Sequence, residues 1–454
     1  MKIPAFAIPL FLTAVSIGQG QVAGQTGSDR KVALPKVSIH ADQPDSRHEP
    51  GTPARFRVEV TLEGAPLDTG SLSYVLSDDG YQPIESESLP LTGQPIFIEG
   101  KLERSGFLRC EAQWVANDGQ VKKETRSVAA AAYAPEKITP SREAPQDFDA
   151  FWSEQKARLA AIPVEASLAQ LERSDSKPVP DGVELFDLKV RTDAEWPVSG
   201  YFARPKAAKA GSLPAVLWTH GAGVRSASAW KAINGAQNGF LSLDINAHGI
   251  ENGKPEDYYK LLESEGRLKN YRYQGRENRD GMYFRGMFLR LIRAIDFLTS
   301  QSEWDGRVMA VVGHSQGGAQ ALAAGGLDSR VTFIGAGVPA MCDHMGMMRR
   351  RISGWPKLVP LLPDGKPDPT VAEVSRYFDG VNFAARCHAT AIVSVGFIDT
   401  TCPPTSCYAA FNQLRGQVEI INEPEMGHDA PERIQKAFFE ALQRHVEQRK
   451  SAAD

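Results

Sequence analysis

Polar and apolar residues alternate over several short runs in the first third of the chain, and turn-forming residues separate these runs. The clearest run covers residues 54–62, and two others cover 71–76 and 108–116. Alternation with a period of two predicts strands that bury one face. The Asn-Asp-Gly break at 117–119 predicts a hairpin. The pattern from about residue 30 to 135 therefore predicts a small all-β sandwich domain of the immunoglobulin or fibronectin type.

The pattern changes after a proline-containing linker at 134–145. An apolar face formed by Phe148, Phe151 and Trp152 predicts a helix that ends near residue 159. Short apolar runs then alternate with longer helical segments, as expected for a mostly parallel sheet covered by helices. The predicted strands cover 184–190, 198–203, 215–218, 240–244, 308–312, 331–335, 391–395 and 418–421. The predicted helices cover 283–299, 317–324, 405–413 and 430–448. We therefore expect an α/β domain at 146–450.

One predicted strand, at 308–312, leads directly into the sequence Gly-His-Ser-Gln-Gly-Gly and then into an alanine-rich helix. This is a G-x-S-x-G motif between a buried strand and a helix. Its glycines permit a tight, strained turn that exposes the serine Oγ at the top of the sheet. The motif in this context predicts an α/β-hydrolase fold with Ser315 as the nucleophile.

A serine nucleophile on this fold needs an acid and then a histidine, in that order along the chain. Asp399 directly follows the strand predicted at 391–395, and His428 lies in the loop after the last predicted strand. Asp343 is a weaker candidate for the acid because it lies after the strand next to the nucleophile. His388 precedes its strand and His445 lies deep in the last helix. We therefore predict a triad of Ser315, Asp399 and His428.

The oxyanion formed during acyl transfer needs two backbone N–H donors. The strand predicted at 215–218 leads into a Thr-His-Gly-Ala-Gly turn, which supplies the N–H of Ala222. Gln316, at the start of the helix after the nucleophile, supplies the second N–H. We expect His220 in this turn to be structural and His314 in the elbow to pack. This chemistry requires neither a metal nor an organic cofactor, and we expect none.

Over residues 147–445 the chain resembles the acetyl xylan esterase and cephalosporin-C deacetylase family. The matching stretches are DFDAFW at 147–152, GHSQGG at 313–318, LDSRV at 327–331, YFDGVNFA at 377–384, VGFIDTTCPPT at 395–405 and GH at 427–428. The resemblance implies removal of acetyl groups from an acetylated oligo- or polysaccharide, with Ser315, Asp399 and His428 as the triad.

The chain departs from the family in three places. The family usually has tyrosine where this chain has Ala222, so an aromatic wall of the acyl pocket is lost while the N–H remains. The segment at 341–366 is less similar, and we expect it to form a lid. The N-terminal sandwich is an addition, which we expect to be dispensable for chemistry on a small ester and to help engage a polymer.

Two other kinds of function remain open from the sequence. The first is a different hydrolase on the same fold, either an oligopeptidase-like enzyme or an esterase for aromatic acyl groups. The second is a non-catalytic carbohydrate-binding protein with a degenerate hydrolase domain. Release of acetate, and not of a peptide or an aromatic acid, separates the first kind from the expected activity.

The first residues predict export. A lysine at position 2 precedes an apolar run at 3–17, and small residues follow, so residues 1–24 are predicted to be a cleaved signal peptide. The run is shorter than the roughly 20 residues that cross a bilayer. We expect a secreted or periplasmic protein without a membrane span. The formal net charge of −4, without long runs of one sign, argues against nucleic acid as a partner.

Five cysteines constrain the predicted disulfides. They are Cys110, Cys342, Cys387, Cys402 and Cys407. An odd number leaves at least one thiol free. Cys387 and Cys402 lie at opposite ends of a strand, roughly 23 Å apart, whereas a disulfide needs Cα atoms within about 7 Å. Cys342 is a better placed partner for Cys402 or Cys407.

Overall fold

Strands occupy most of the N-terminal third of the protein. The computed structural model describes residues 33–174, 177–192 and 196–451, so the predicted signal peptide at 1–24 lies outside the described residues. The first nine strands are β1 (Lys36–Ala41), β2 (Arg47–His48), β3 (Ala54–Leu62), β4 (Ala65–Pro66), β5 (Ser71–Asp78), β6 (Gln82–Pro90), β7 (Ile96–Gly100), β8 (Gly106–Val115) and β9 (Ser127–Tyr133). We call residues 36–133 the N-terminal β region.

Two sheets of the N-terminal β region share one core. One sheet contains β1, β3, β4 and β7, and the other has the order β2-β9-β8-β5-β6. Alternate residues of each sheet face the other, such as Phe56 and Val58 from β3 and Leu108 and Cys110 from β8. The predicted turn at 117–119 is enclosed by a single antiparallel bridge between Val115 and Val121. The predicted antiparallel strands are therefore present.

The remaining part of the protein is built around a nine-stranded sheet, which has the order β10-β13-β14-β16-β15-β17-β18-β19-β20. The six strands from β16 to β20 in this order run parallel, and the three at the other edge pair antiparallel. The strands are β10 (Ala166–Leu171), β13 (Val183–Val190), β14 (Val198–Pro205), β15 (Leu213–Thr219), β16 (Leu241–Ile245), β17 (Trp304–His314), β18 (Phe333–Gly337), β19 (Thr390–Gly396) and β20 (Val418–Glu423). The strands β11 (Arg173–Ser174) and β12 (Lys177–Pro178) form a separate short pair.

Helices cover both faces of this sheet. They are α1 (Phe148–Ala160), α2 (Ala229–Gln237), α3 (Glu256–Ser264), α4 (Tyr283–Ser300), α5 (Gln316–Leu327), α6 (Pro369–Ser375), α7 (Gly380–Ala384), α8 (Pro404–Phe411) and α9 (Glu432–Ser451). Met309 and Val311 of β17 face the core formed with α4 and α5, whereas Ala310 faces the core formed with α9. Both faces of the central strands are apolar because both are covered. None of the helices in the described ranges is long and apolar enough to cross a membrane.

The cysteines differ from one expectation. All five are buried and carry free thiols. Cys387 and Cys402 are unbonded as predicted, but the proposed pairing of Cys342 with Cys402 or Cys407 is wrong. Two of these thiols lie against backbone carbonyls instead, with Cys342 Sγ 3.3 Å from the oxygen of Ala340 and Cys407 Sγ 3.5 Å from that of Cys402.

The segment at 341–366, predicted as a lid, is half core and half surface. Its first six residues, 341–346, are buried, and residues 361–366 are exposed. The buried carboxylate of Asp343 accepts hydrogen bonds from the N–H and the hydroxyl of Ser141. Only the far part of the segment is therefore free of the core, and its role as a lid stays a prediction.

Candidate active site

The serine predicted as nucleophile lies on a strained turn at the end of β17. Ser315 has φ 57° and ψ −119°, a backbone conformation that residues other than glycine rarely adopt. The turn is crowded, since a Cβ on Gly313 would lie 2.2 Å from Thr219 Oγ1 and one on Gly317 would lie 2.4 Å from the Thr219 carbonyl oxygen. Ser315 N–H donates to the Gly337 carbonyl at 2.8 Å, which fixes the turn to β18.

The structure brings the three predicted residues of the triad together. Ser315 Oγ lies 2.9 Å from His428 Nε2, and His428 Nδ1 lies 2.7 Å from Asp399 Oδ2. The carboxyl end of β19 carries Asp399, and the loop after β20 carries His428. Parallel neighbouring strands end at the same edge of the sheet, so residues far apart in sequence converge there.

The carboxylate of Asp399 is fixed by its own loop. We call residues 397–403, between β19 and α8, the Asp399 loop. Asp399 is fully buried, and its Oδ1 accepts the N–H groups of Thr401 at 2.7 Å and Cys402 at 2.9 Å. Oδ2 is left to accept from His428 Nδ1. This arrangement holds the imidazole with its Nε2 towards the serine hydroxyl.

The glycine-rich turn predicted to supply an oxyanion donor lies beside Ser315. A Cβ on Gly221 would lie 3.5 Å from Ser315 Cβ, so the turn that contains Ala222 passes directly over the elbow. Gln316 is the first residue of α5, and the N–H groups of a first helical turn have no intrahelical partner. Both turns therefore lie close to Ser315, and the role of the Ala222 and Gln316 N–H groups as oxyanion donors stays a prediction.

Tyr271, which the sequence analysis did not identify, connects these two turns. Its buried hydroxyl donates to Gln316 Oε1 at 2.7 Å and accepts the N–H of Gly223 at 3.4 Å. Its ring packs edge-on against His248 at 4.6 Å. The residue begins a short 3₁₀ helix, Tyr271–Tyr273, 12 positions before α4, where no local sequence pattern marks it. It holds the residue after Ala222 and the side chain of Gln316 at once.

The remaining histidines near the site have structural contacts. His220 is buried, and its Nε2 accepts the N–H of Ala247 at 3.1 Å. Burial holds the pKa of His220 well below its usual value, and the positive charge of Arg225 adds to this effect. The ring of His314 packs against His428 with 5.4 Å between centroids. Burial also lowers the pKa of His314.

The weaker candidates lie away from Ser315 or have other partners. The Asp343 carboxylate is occupied by Ser141, as described above, and His445 Nε2 lies 3.1 Å from Thr332 Oγ1. His388 is exposed at the start of β19, at the opposite end of the strand from Asp399.

One trio of potential metal ligands was found in the described part of the chain. Side-chain atoms of Asp399, Cys402 and His428 lie within 4.8 Å of one another. The first and last of these are bonded to each other, and burial raises the pKa of Cys402 well above the usual thiol value. A protonated thiol is a poor metal ligand. The trio is therefore better described as a hydrogen-bonded pair with a neighbouring thiol.

Comparisons with known proteins identify the family of the chain. The sequence model of the acetyl xylan esterase (AXE1) family matches residues 135–445. Among curated proteins, acetyl esterase Axe7A of Xylanibacter ruminicola is 30% identical over 395 residues, which cover 86% of this chain and 86% of that protein. This alignment is longer than the family match, so similarity to the relative extends beyond residues 135–445.

Solved structures show the same fold. An acetyl xylan esterase from Paenibacillus sp. R4 is 26% identical with a TM-score of 0.59, over 68% of this chain and 98% of that one. Acetyl xylan esterase 1 from Thermoanaerobacterium sp. JW/SL YS485 is 20% identical with a TM-score of 0.55, over 68% of this chain and 97% of that one. The predicted α/β-hydrolase fold is confirmed. The chain belongs to the acetyl xylan esterase family and is a serine carboxylesterase.

Proposed function

We propose that the protein removes acetyl groups from decorated carbohydrates, with Ser315, His428 and Asp399 as a catalytic triad. The observation that carries the proposal is the continuous hydrogen-bonded chain from Ser315 Oγ through His428 to Asp399, at 2.9 Å and 2.7 Å. A base within hydrogen-bond reach of a hydroxyl, itself oriented by a carboxylate, is the arrangement that activates serine.

The first half of the reaction forms an acyl-enzyme. Ser315 Oγ attacks the acetyl carbonyl carbon while His428 Nε2 takes the hydroxyl proton. The carbonyl oxygen becomes an oxyanion, which accepts hydrogen bonds from the N–H groups of Ala222 and Gln316. The tetrahedral intermediate then expels the sugar oxygen, which receives the proton from His428, and the acetyl group remains on Ser315.

The second half releases acetate. Water takes the place of the departed sugar, and His428 Nε2 accepts its proton as the water oxygen attacks the acetyl carbon. Collapse of the second intermediate returns the proton to Ser315 Oγ and frees acetic acid. Asp399 keeps the Nδ1 proton of His428 in place throughout, so Nε2 can alternate between base and acid.

A polar cleft next to the loop that contains His428 is a candidate site for a part of the carbohydrate away from the reacting ester, since none of the three triad residues lines it. It has a volume of about 540 Å³ and lies between β1 and the loop that contains His428. His40 Nδ1 and Glu425 Oε1 are in contact at 2.8 Å in its lining, which also includes Asp429 and Arg433. Exposed polar side chains of this kind suit sugar hydroxyls. The names of the two acetyl xylan esterases also support an acetylated xylan-type substrate.

The same proposal includes the organisation of the chain. We assign residues 1–24 to a cleaved signal peptide, 30–135 to a β-sandwich domain and 146–450 to the catalytic domain. Export of the mature protein to the periplasm or the medium would bring it to polymeric substrates that cannot enter a cell. Sequencing the N-terminus of the protein recovered from its native host tests the first assignment.

An acetate-release screen tests the proposed activity. Purified protein is incubated with acetylated xylan, other acetylated glycans, cephalosporin C, a feruloylated oligosaccharide and a peptide. We expect acetate from one or more acetylated substrates. Ferulate or peptide fragments without acetate would instead support the aromatic-acyl or oligopeptidase alternative.

Replacement of the proposed nucleophile tests the mechanism. Ser315→Ala is expected to lower kcat for p-nitrophenyl acetate by about 10⁴-fold or more, because no oxygen remains to attack the ester. Thermal unfolding of the variant should match that of the parent. Ser353→Ala, which alters a buried serine bonded to Met347 Sδ, is the matched control and should keep its activity. A Ser315→Ala variant with parental turnover would contradict the assignment.

A further inference from the structure

Strand β8 lies between the two cores of the protein. Its even-numbered side chains, including Leu108 and Cys110, pack in the core of the N-terminal β region. Phe107 faces the other way and belongs to the core of the nine-stranded sheet. Its ring contacts Phe397 edge-on, with 5.0 Å between centroids. Successive side chains of a strand point to opposite faces, so one strand serves both cores.

Arg109 occupies the position on β8 two residues after Phe107 and points to the same side. Only 1% of its surface is exposed. Its Nη2 donates to the Asp399 carbonyl at 3.1 Å, and its Nη1 lies 3.4 Å from the Ile398 carbonyl. Burial of a guanidinium costs several kcal/mol unless its donors are paired. The two loop carbonyls pair Nη1 and Nη2, whereas Nε has no hydrogen-bond partner among the described residues. The buried guanidinium is thus bonded to the main chain of the proposed acid and not to its carboxylate.

A second residue of the N-terminal β region holds the other end of the same segment. Asp79, in the turn between β5 and β6, is fully buried. Its Oδ2 accepts a short hydrogen bond from the hydroxyl of Thr405, in the first turn of α8. The Asp399 loop and the start of the helix that follows it are thus held by side chains that come from 289 to 326 residues earlier in the chain.

We propose that Arg109 is a positioning residue for Asp399, supplied by the N-terminal β region, with Asp79 fixing the end of the same loop. The inference rests on the proposed role of Asp399. The loop sets the direction of the carboxylate through the N–H groups of Thr401 and Cys402. A shift of its main chain therefore turns the imidazole of His428 away from Ser315. This replaces the expectation that the N-terminal domain is dispensable for chemistry.

A double-mutant cycle tests the proposal in the full-length protein. The variants are Arg109→Met, Asp399→Asn and the two together, assayed with p-nitrophenyl acetate. Arg109→Met alone should lower kcat about 10- to 100-fold with KM within about twofold, because misplacement of a catalytic group affects turnover more than binding. In the Asp399→Asn background the same change should cost less than about threefold, because Arg109 acts through that side chain.

Each contrary outcome has a separate meaning. An equal loss of kcat in both backgrounds would overturn the positioning role and leave Arg109 with a purely structural one. Parental activity of Asp399→Asn alone would instead refute the proposed triad. Arg126→Met is the matched control, since Arg126 pairs at the surface with Glu111, two residues beyond Arg109 on β8, and its kcat should stay within about twofold.

If Arg109→Met does not fold, a more conservative variant, Arg109→Lys, tests the same proposal. Arg109→Lys keeps the charge and most of the side-chain length, but it presents one amine in place of the guanidinium fork. Its kcat should be intermediate, and its effect should also shrink in the Asp399→Asn background. A lysine variant with parental kcat and parental Tm would show that neither hydrogen bond to the loop matters for turnover.

Discussion

At the scale of single residues, the site combines positions of two kinds. Ser315, Asp399 and His428 each follow a strand in a short, recognisable context, and the sequence predicts all three. Arg109 and Tyr271 have no such context. Their partners lie 290 and 45 residues away, and arginine and tyrosine are common in many surroundings. A contact set by tertiary packing leaves no trace in the local pattern, so the sequence analysis missed both.

Tyr271 provides a test of how far the oxyanion turns depend on a side chain. Tyr271→Phe removes the hydroxyl that joins Gly223 to Gln316 while keeping the buried ring. Loss of a supporting contact should loosen both donors, so we expect kcat to fall about tenfold with KM nearly unchanged. Affinity for a boronic acid that mimics the oxyanion should fall by a similar factor.

Tyr259→Phe is the matched control for this variant. The Tyr259 hydroxyl is also bonded to main chain, donating to the Glu251 carbonyl at 3.0 Å and accepting the Lys254 N–H at 3.1 Å. The Tyr259→Phe variant also loses a buried hydroxyl, but this hydroxyl does not contact Gly223 or Gln316. Its kcat should therefore remain near the parental value. Equal losses in both variants would mean that Tyr271 contributes only general stability.

At the scale of elements, the sequence predicts the strands and helices that build the centre of the sheet. The buried parts of strands such as β17 and β19 are mostly apolar because helices cover both of their faces. The edge strand β10 was not predicted. Its residues are exposed along almost its whole length, so neither burial nor alternation selects it. The hydrophobic pattern of a sequence reflects burial, so a strand that buries few residues cannot be predicted from that pattern.

The close approach of α5 to β15 requires glycine at position 317, because glycine has no Cβ. Gly317→Ala would place a Cβ 2.4 Å from the carbonyl oxygen of Thr219, which is backbone and cannot rotate away. We expect the variant to lose about 1–3 kcal/mol of unfolding free energy, as overpacked cores do. Its kcat should fall as well, because the helix start and the oxyanion turn are forced apart. Urea denaturation and ester kinetics measure the two effects.

Gly286→Ala serves as the control for a helical glycine. It lies in the first turns of α4, where a Cβ meets only the end of Arg290 at 3.6 Å. Alanine lowers the conformational entropy of the unfolded chain, so this variant should gain about 0.5–1 kcal/mol. A Gly317→Ala variant that is equally stabilised would contradict the close approach of α5 and β15.

At the scale of the whole molecule, the contact between the N-terminal β region and the nine-stranded sheet contains a buried carboxyl group. Burial raises the pKa of Asp79 to about 7, although the nearby Arg109 and Arg351 and the hydrogen bond from Thr405 favour its charged form. The neighbouring Asp78 raises the pKa further. The charge state of this contact therefore changes within the range where enzymes are usually assayed.

The stability of the protein should depend on pH through this group. The folded protein keeps the Asp79 proton up to about pH 7, whereas an unfolded chain releases it near about pH 4. Stability from this source is therefore greatest below about pH 4 and falls as the pH rises from about 4 to about 7. Asp79→Asn lacks the group, so its unfolding free energy relative to the parent should rise across that interval.

Denaturation in urea at several pH values between 4 and 8 measures this difference. Asp118→Asn, at an exposed turn, controls for the change in net charge. If the curves for the parent and for Asp79→Asn run parallel, Asp79 does not titrate in this interval.

The five buried free thiols allow local opening of the folded protein to be measured without a label. Cys110 lies between the sheets of the N-terminal β region, and the other four lie in the core of the nine-stranded sheet. An alkylating reagent reaches a buried sulfur only when the surrounding structure opens, so its rate of reaction reports the free energy of that opening. Peptide mass spectrometry of an alkylation time course therefore follows each core separately, without any engineered label.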